Sequence, residues 1–246
     1  MEHLGILAHS VEGAALCLRA FADEGVRELG PHQHPDVTLD CIAMGDSMAA
    51  WASGDYLSIR ATLATSVARL ASAGAGFFCC PDNTAHMALE QPGAPLALPG
   101  LHIATIVAER AAVDRRQRVG ILGTKYTMDG WVYPRALAAR GIDCRVPQAA
   151  DRARVDEIIF SELVNGVFTD AARSEYLRII HGLQDSECDA VALVCTEIPL
   201  LITPAASPLP TLDSTRLLAR AAFEVAIGRR PMPTWRGGPV DHEVAG

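Results

Sequence analysis

The 246-residue sequence predicts an α/β fold: two pseudo-symmetric parallel-sheet, Rossmann-like domains, with the active site expected between them. Three observations carry that expectation. Short apolar runs alternate with helical stretches along the chain, as parallel strands and their crossover helices do. The runs are apolar at nearly every position, the mark of strands covered on both faces. The pattern also restarts. Leu4-Gly5-Ile6-Leu7 reappears as Val119-Gly120-Ile121-Leu122 at a shift of 115, and Ala75-Gly76-Phe77-Phe78, running to Asp82, reappears as Cys188-Asp189-Ala190-Val191, running to Cys195, at a shift of 113.

Taken in order, Leu4–Ala8 is a buried strand that breaks into the polar pair His9-Ser10. Residues 13–21 have helical spacing and residues 37–43 read as a second strand. Residues 55–73 form an amphipathic helix with Leu57, Ala61, Leu63, Ala64, Val67, Ala68 and Leu70 inward, ended by Gly74 and Gly76. Residues 75–80 are a third, central strand that Pro81 stops, and residues 82–89 start a helix. In the second half, residues 118–124 are a strand and its loop. A helix over 128–140 is capped by Gly141, and residues 142–146 are a strand. Helices over 151–164 and 174–183 precede a strand over 189–194 that ends at Cys195-Thr196-Glu197. A helix over 215–227 is apolar on one side and is expected to pack back on the first half. The expected domains are 1–113 with 213–228, and 114–212. Residues 229–246, rich in Pro, Gly and Arg, read as a tail.

Half of the residues are hydrophobic and a fifth are charged, which fits a globular protein with a substantial core. The formal net charge of −8 argues against a nucleic-acid partner, which would want a basic surface. The N-terminus has no basic stretch leading a long apolar one, and no run is long enough to span a membrane, so no membrane partner and a cytoplasmic location are expected. The cysteines number seven and none forms a C-x-x-C pair, so reduced thiols are expected. Asp40-Cys41-Ile42 and residues 76–80 read as buried strand. His32 and His34 lie in a Pro-rich loop with poor metal-ligand spacing, so no metal is expected. Lys125, the only lysine, could bind an anionic substrate or carry pyridoxal phosphate, but no phosphate-cradling glycine loop accompanies it. A solvated lysine is the favoured reading.

Ligands of parallel α/β sheets bind beyond the carboxyl ends of the strands. Four loops qualify, after Ala8, Cys80, Leu122 and Val194. Asp82 and Cys195 each sit just past a buried strand at an expected helix start, where free N–H groups attract a carboxylate and favour a thiolate. From opposite faces of a carbon, the two could remove and return a proton. Asn83, Thr84, Thr124, Thr127 and Thr196 are the expected hydrogen-bonding residues for substrate, and Glu197 could orient or polarise a neighbour. Plainer roles stand beside these. Asp82 could be an N-cap, Cys195 a small buried thiol, Thr124 and Thr127 loop caps, and Glu197 a capping partner. His86 faces either the site or the first turn of its helix. Cys79 and Cys80 are core residues.

Pro81-Asp82-Asn83-Thr84-Ala85-His86 resembles the first active-site motif of the aspartate/glutamate racemase superfamily, and Cys195-Thr196-Glu197-Ile198-Pro199-Leu200-Leu201 resembles the second. Residues 120–127 are similar to its middle strand and threonine loop, and residues 210–215 to its final motif. The resemblance runs from Leu4 to about Ile227. It implies two pseudo-symmetric α/β domains, often dimeric, and an isomerase that needs no cofactor, pyridoxal phosphate included. The implied substrate is a small carboxylate-bearing molecule, first of all an acidic amino acid, with Asp82 and Cys195 as the catalytic pair and Ser10, in the loop after the first strand, among the substrate contacts.

The typical member has cysteine in both motifs, whereas here the first position is Asp82. Arylmalonate decarboxylases keep only the second cysteine, so a lyase that protonates an enediolate from Cys195 is the alternative, followed by a non-catalytic binder. Asp82 would repel a departing carboxylate, which favours proton transfer. With reference pKa values of about 3.9 and 8.5, the pair rests as carboxylate and thiol. Moving the proton from Cys195 to Asp82 costs about 4.6 units, or roughly 6 kcal/mol. Burial of Asp82 and a helix N-terminus at Cys195 are expected to shrink that gap.

Overall fold

A computed structural model describes residues 1–240. The chain divides into two compact units. The first is Met1–Ile106 together with the described residues from Thr215 on, and the second is Val107–Ser214.

The first unit is built on a parallel sheet of four strands: β1 (Leu4–Ala8), β2 (Val37–Cys41), β3 (Phe77–Cys79) and β4 (Gly100–Leu101), in the order β2-β1-β3-β4. Strand periodicity sorts its side chains into two cores. Leu4, Ile6, Ala8, Phe77 and Cys79 face one side, where they meet Ala14, Cys17 and Phe21 of α1 (Val11–Leu29) and Ile103 and Ile106 of α5 (Ile103–Val113). Leu7, Phe78 and Cys80 face the other, against Ile59, Leu63, Val67 and Leu70 of α3 (Tyr56–Ser72). Between β2 and α3 lie a 3-10 turn, Met44–Ser47, and the short helix α2 (Met48–Ser53). The last helix, α11 (Ser214–Ala226), gives Leu218, Ala219, Ala222 and Phe223 to the first of these cores, and Phe223 meets the Phe21 ring edge-on at 6.0 Å. The expected return of this helix is therefore observed. Full burial of a side chain such as Phe223 contributes about 1.5–3 kcal/mol.

The second unit repeats the plan. Its strands are β5 (Arg118–Leu122), β6 (Asp143–Arg145), β7 (Ala190–Leu193) and β8 (Thr211–Asp213), parallel and in the order β6-β5-β7-β8. The registers of the two sheets correspond. Leu4 pairs with Phe77 in the first, and Val119 with Ala190 in the second. Those are the residues that the shifts of 115 and 113 relate. Gly5 and Gly120 are likewise equivalent. A Cβ at Gly5 would lie 3.1 Å from Leu70 of α3, and one at Gly120 would lie 2.7 Å from Leu183 of α9 (Asp170–Asp185). Both glycines let a helix close on its strand.

The structure departs from the sequence-based expectations in several places. The helix expected over 128–140 is two, α6 (Lys125–Asp129) and α7 (Val132–Ala138), separated by extended Gly130. Pro134 explains the break, because it has no N–H and would clash with the carbonyl of residue 130 in a continuous helix. In the first turn of α7 it needs no partner. Cys41 is exposed rather than buried, because β2 is an edge strand. The helices after Asp82 and Cys195 are single turns, α4 (His86–Leu89) and α10 (Ile198–Leu201). The remaining helix, α8 (Ala149–Ser161), continues into a 3-10 turn at Leu163–Asn165.

The segment read as a tail is packed along its described part. Gly100 N–H donates to the Trp235 carbonyl at 2.7 Å, and Leu96 N–H to that of Arg236 at 2.8 Å. Residues 241–246 of that segment lie outside the described residues. No described helix is long and apolar enough to cross a membrane, and all seven cysteines are free thiols.

Candidate active site

In the first unit the site is built where β1 and β3 end side by side. Ile6 pairs with Cys79, so His9 and Asp82 follow at equal distances along neighbouring strands. Their side chains meet, with His9 Nδ1 2.8 Å from Asp82 Oδ2. The His9 side chain is 1% exposed and that of Asp82 11% exposed, so Asp82 is the member that solvent can reach. The other carboxylate oxygen, Oδ1, accepts from Ala85 N–H at 3.1 Å. Burial pushes the Asp82 carboxyl up. The His9 hydrogen bond and charge, with Ala85 N–H, outweigh it and hold the group below its ordinary value. The expected rise of Asp82 is thus reversed. An ionised carboxylate only accepts, so His9 Nδ1 carries the hydrogen. His9 Nε2 is buried with no hydrogen-bond partner, and the Trp51 ring lies 6.0 Å from the imidazole.

Behind Asp82 lies a buried histidine brace. His86 Nε2 accepts from Ile103 N–H at 3.3 Å, so its Nδ1–H donates to the Asp82 carbonyl at 2.9 Å. Burial, with the neighbouring His102, pushes the His86 imidazole down to about 3, so it is neutral. His102 Nε2 lies 2.8 Å from Glu90 Oε1, in a pair that is 5% and 2% exposed. Trp235 stacks on His86 at 6.0 Å and meets His102 edge-on at 4.9 Å.

In the second unit β5 and β7 end side by side, and Leu122 pairs with Leu193. Thr124 and Cys195 follow at equal distances. Cys195 is half-buried, and its thiol donates to Glu197 Oε2 at 3.0 Å. The same oxygen accepts from Thr196 Oγ1 at 2.8 Å. Glu197 is 5% exposed. The thiol thus rests on a buried carboxylate rather than on the end of a long helix. The neighbouring Tyr176 phenol, itself buried and close to Cys195, is pushed well above its ordinary range by burial first and by Cys195 next.

The other expected residues fall into place unevenly. Ser10 caps α1, accepting from Gly13 N–H at 3.3 Å. Thr124 caps α6, and its hydroxyl lies 3.1 Å from that of Thr127. Asn83 is buried and Thr84 half-buried in the turn after Asp82. His86 faces neither the site nor solvent. Lys125 is an exposed partner of Asp129. Cys79 and Cys80 are core residues, and burial pushes the Cys80 thiol well up. Sequence reasoning missed the His9–Asp82 pair, although His9 stood at the end of the first strand. It also missed His102, Glu90 and Trp235, for which no local signal exists.

A doubled parallel α/β protein with acid–base pairs at repeat-related strand ends is the class that this architecture defines. A model of the Asp/Glu/hydantoin racemase family matches residues 17–222, and the chain belongs to that family. Among solved structures, a candidate Asp/Glu racemase from Yersinia pestis shares 28% identity with a TM-score of 0.82, covering 92% of this chain and 100% of that one. A glutamate racemase from Francisella tularensis, in complex with D-glutamate, has the same fold at 13% identity and a TM-score of 0.63, covering 96% of this chain and 85% of its own. The broad specificity amino-acid racemase RacX of Bacillus subtilis is 20% identical over 174 residues, 68% of this chain and 72% of RacX.

Proposed function

We propose that the protein is a cofactor-independent amino-acid racemase or epimerase that works by proton transfer at the α-carbon through Asp82 and Cys195. The observation that carries this reading is the register of the repeat. It makes Asp82 and Cys195 equivalent residues, each furnished with its own proton partner, His9 and Glu197. Family membership and the name of the RacX relative support an amino acid as substrate.

In this reading the two residues serve opposite faces of one carbon. Asp82, held as a carboxylate by His9, takes the α-hydrogen as a proton and leaves an enediolate-like carbanion. The Cys195 thiol gives its proton to the other face and becomes a thiolate. The products are neutral Asp82, thiolate Cys195 and the inverted amino acid. The resting state returns when solvent takes the proton from Asp82 and resupplies Cys195, for which Glu197 at 3.0 Å is the relay. Asn83, Thr84, Thr124 and Thr127 supply donors for the α-carboxylate, while the Thr196 hydroxyl hydrogen is spent on Glu197. The opposite direction starts from protonated Asp82 and thiolate. His9 makes that form of Asp82 costly, so the two directions make unequal demands on the enzyme. A carboxylate held ionised here also opposes the departure of a substrate carboxylate, which favours proton transfer over decarboxylation.

The test is racemisation of single enantiomers, followed by loss of circular dichroism. The wild type is expected to racemise its substrate. Asp82→Asn and Cys195→Ser are each expected to lose about 10²-fold or more, the usual worth of a positioned acid or base. Undiminished racemisation in both variants would contradict the assignment.

A further inference from the structure

We infer that the substrate's side chain is neutral and largely apolar rather than a second carboxylate. This inference rests on the racemase reading and narrows it, replacing the acidic amino acid expected from the sequence. It follows from the residues that each sheet presents at the carboxyl ends of its strands, where ligands of such sheets bind.

In the first unit that rim consists of the residues after β1, β2, β3 and β4. Its charged members outside the buried His102–Glu90 pair are Glu12, Asp46 and Asp82, and neither lysine nor arginine occurs among residues 9–12, 42–48, 80–84 or 102–103. His9 is buried and already engaged with Asp82. The guanidinium of Arg69 lines a groove of about 380 Å³ with Ile42 and Ala43, just past β2. It lies 3.6 Å from Asp40, and Asp46 lines the same groove, so its charge is balanced locally. In the second unit the loops after β5 and β7 hold the cation Lys125, whose ammonium is paired with Asp129, and the carboxylate Glu197, while past β6 and β8 stand Arg152, paired with Asp129 at 2.9 Å, and the exposed Arg216 in the first turn of α11.

The first rim also exposes large apolar side chains. Val11 is 61%, Met44 39% and Met48 53% exposed, with Ile42 half-buried between strand and turn. Single exposed apolar residues are ordinary. Several at the ligand-binding end of one sheet, two of them adaptable methionines, suit an uncharged side chain.

The charge balance points the same way. A neutral amino acid brings one carboxylate, for which the hydroxyl and amide donors suffice, and one ammonium, which carboxylates attract. Aspartate or glutamate brings a second carboxylate to a rim that already holds Glu12, Asp46 and Asp82. Repulsion there is a device for rejecting the wrong substrate as much as the apolar side chains are for holding the right one.

The experiment is α-hydrogen exchange in D₂O, read by NMR on the full-length protein. The panel is both enantiomers of methionine, leucine, phenylalanine, glutamine, aspartate and glutamate. Neutral members are expected to exchange with kcat/KM at least about tenfold above the acidic ones, a discrimination within reach of one pocket. Faster exchange of aspartate or glutamate would overturn the inference and leave the racemase reading standing. Exchange of no member would overturn that reading and this inference together. Asp46→Arg, a change on an exposed turn, is expected to raise the ratio of acidic to neutral kcat/KM about tenfold. An unchanged ratio would show that the rim charge does not select, and would overturn the charge argument.

Discussion

At the scale of single residues, the protonation states follow from which atoms are already occupied. His9 gives Asp82 a donor at 2.8 Å and so holds a carboxylate where the family's first motif usually has cysteine. His86 is locked as a neutral bridge between the Asp82 carbonyl and Ile103 N–H. That lock has a consequence for stability. Above about pH 6.5 the imidazole is neutral in both folded and unfolded chains, so the shift adds nothing. Below it, only the unfolded chain takes up the proton until the folded value of about 3 is reached. Stability therefore falls as pH falls, by roughly 3 kcal/mol at about pH 4. Asp82 works in a lower window. Its depressed value stabilises the fold above the ordinary carboxylate pKa of about 3.9 and is lost as pH drops through the folded value. Urea unfolding of the wild type from about pH 7 to about pH 4 should show the His86 slope, and His86→Gln should flatten it. A wild-type stability that does not change over that range would contradict the buried neutral assignment. Little of this was legible in the sequence. Asp82, Cys195 and Glu197 announce themselves in their motifs, but the contact that makes Asp82 a carboxylate comes from residue 9, far away along the chain.

At the scale of elements, periodicity carried the reading where elements were long and failed where they were short. α3 was legible because Leu63, Val67 and Leu70 recur on one face, although Leu57, Ala61 and Ala68, also expected inward, are exposed, and Asp55 caps it by accepting from Ser58 N–H at 3.1 Å. β4, with two residues, and β8, with three, are too short for any period to show. They exist because their neighbours β3 and β7 offer unpaired edges. The described segment after α11 was misread for a related reason. Its Pro- and Gly-rich composition signals a lack of helix, but not a lack of packing. Trp235 covers the imidazoles of His86 and His102 and lies 6.2 Å from the Phe78 ring. Trp235→Ala is expected to destabilise the protein by about 2–3 kcal/mol, somewhat below the cost of truncating a fully buried aromatic residue. Thermal unfolding measures this, and a change within about 0.5 kcal/mol, the usual range for a surface substitution, would mean the segment is not part of the first unit's fold.

At the scale of the whole molecule, the repeat was the most legible feature. Shifts read from two short apolar runs reproduce the strand registers of both sheets, because a parallel strand buried on both faces leaves few alternatives for its pattern. The chemical inequality of the repeats lies outside that pattern, since packing constrains strands far more than it constrains the residues just past them. If one carbon is served by two different groups, α-hydrogen exchange in D₂O separates their roles when each enantiomer is followed alone. Asp82→Asn is expected still to exchange the enantiomer whose hydrogen faces Cys195, without inverting it, and Cys195→Ser to do the same for the other enantiomer. Exchange of both enantiomers at wild-type rates in both variants would contradict that division of roles.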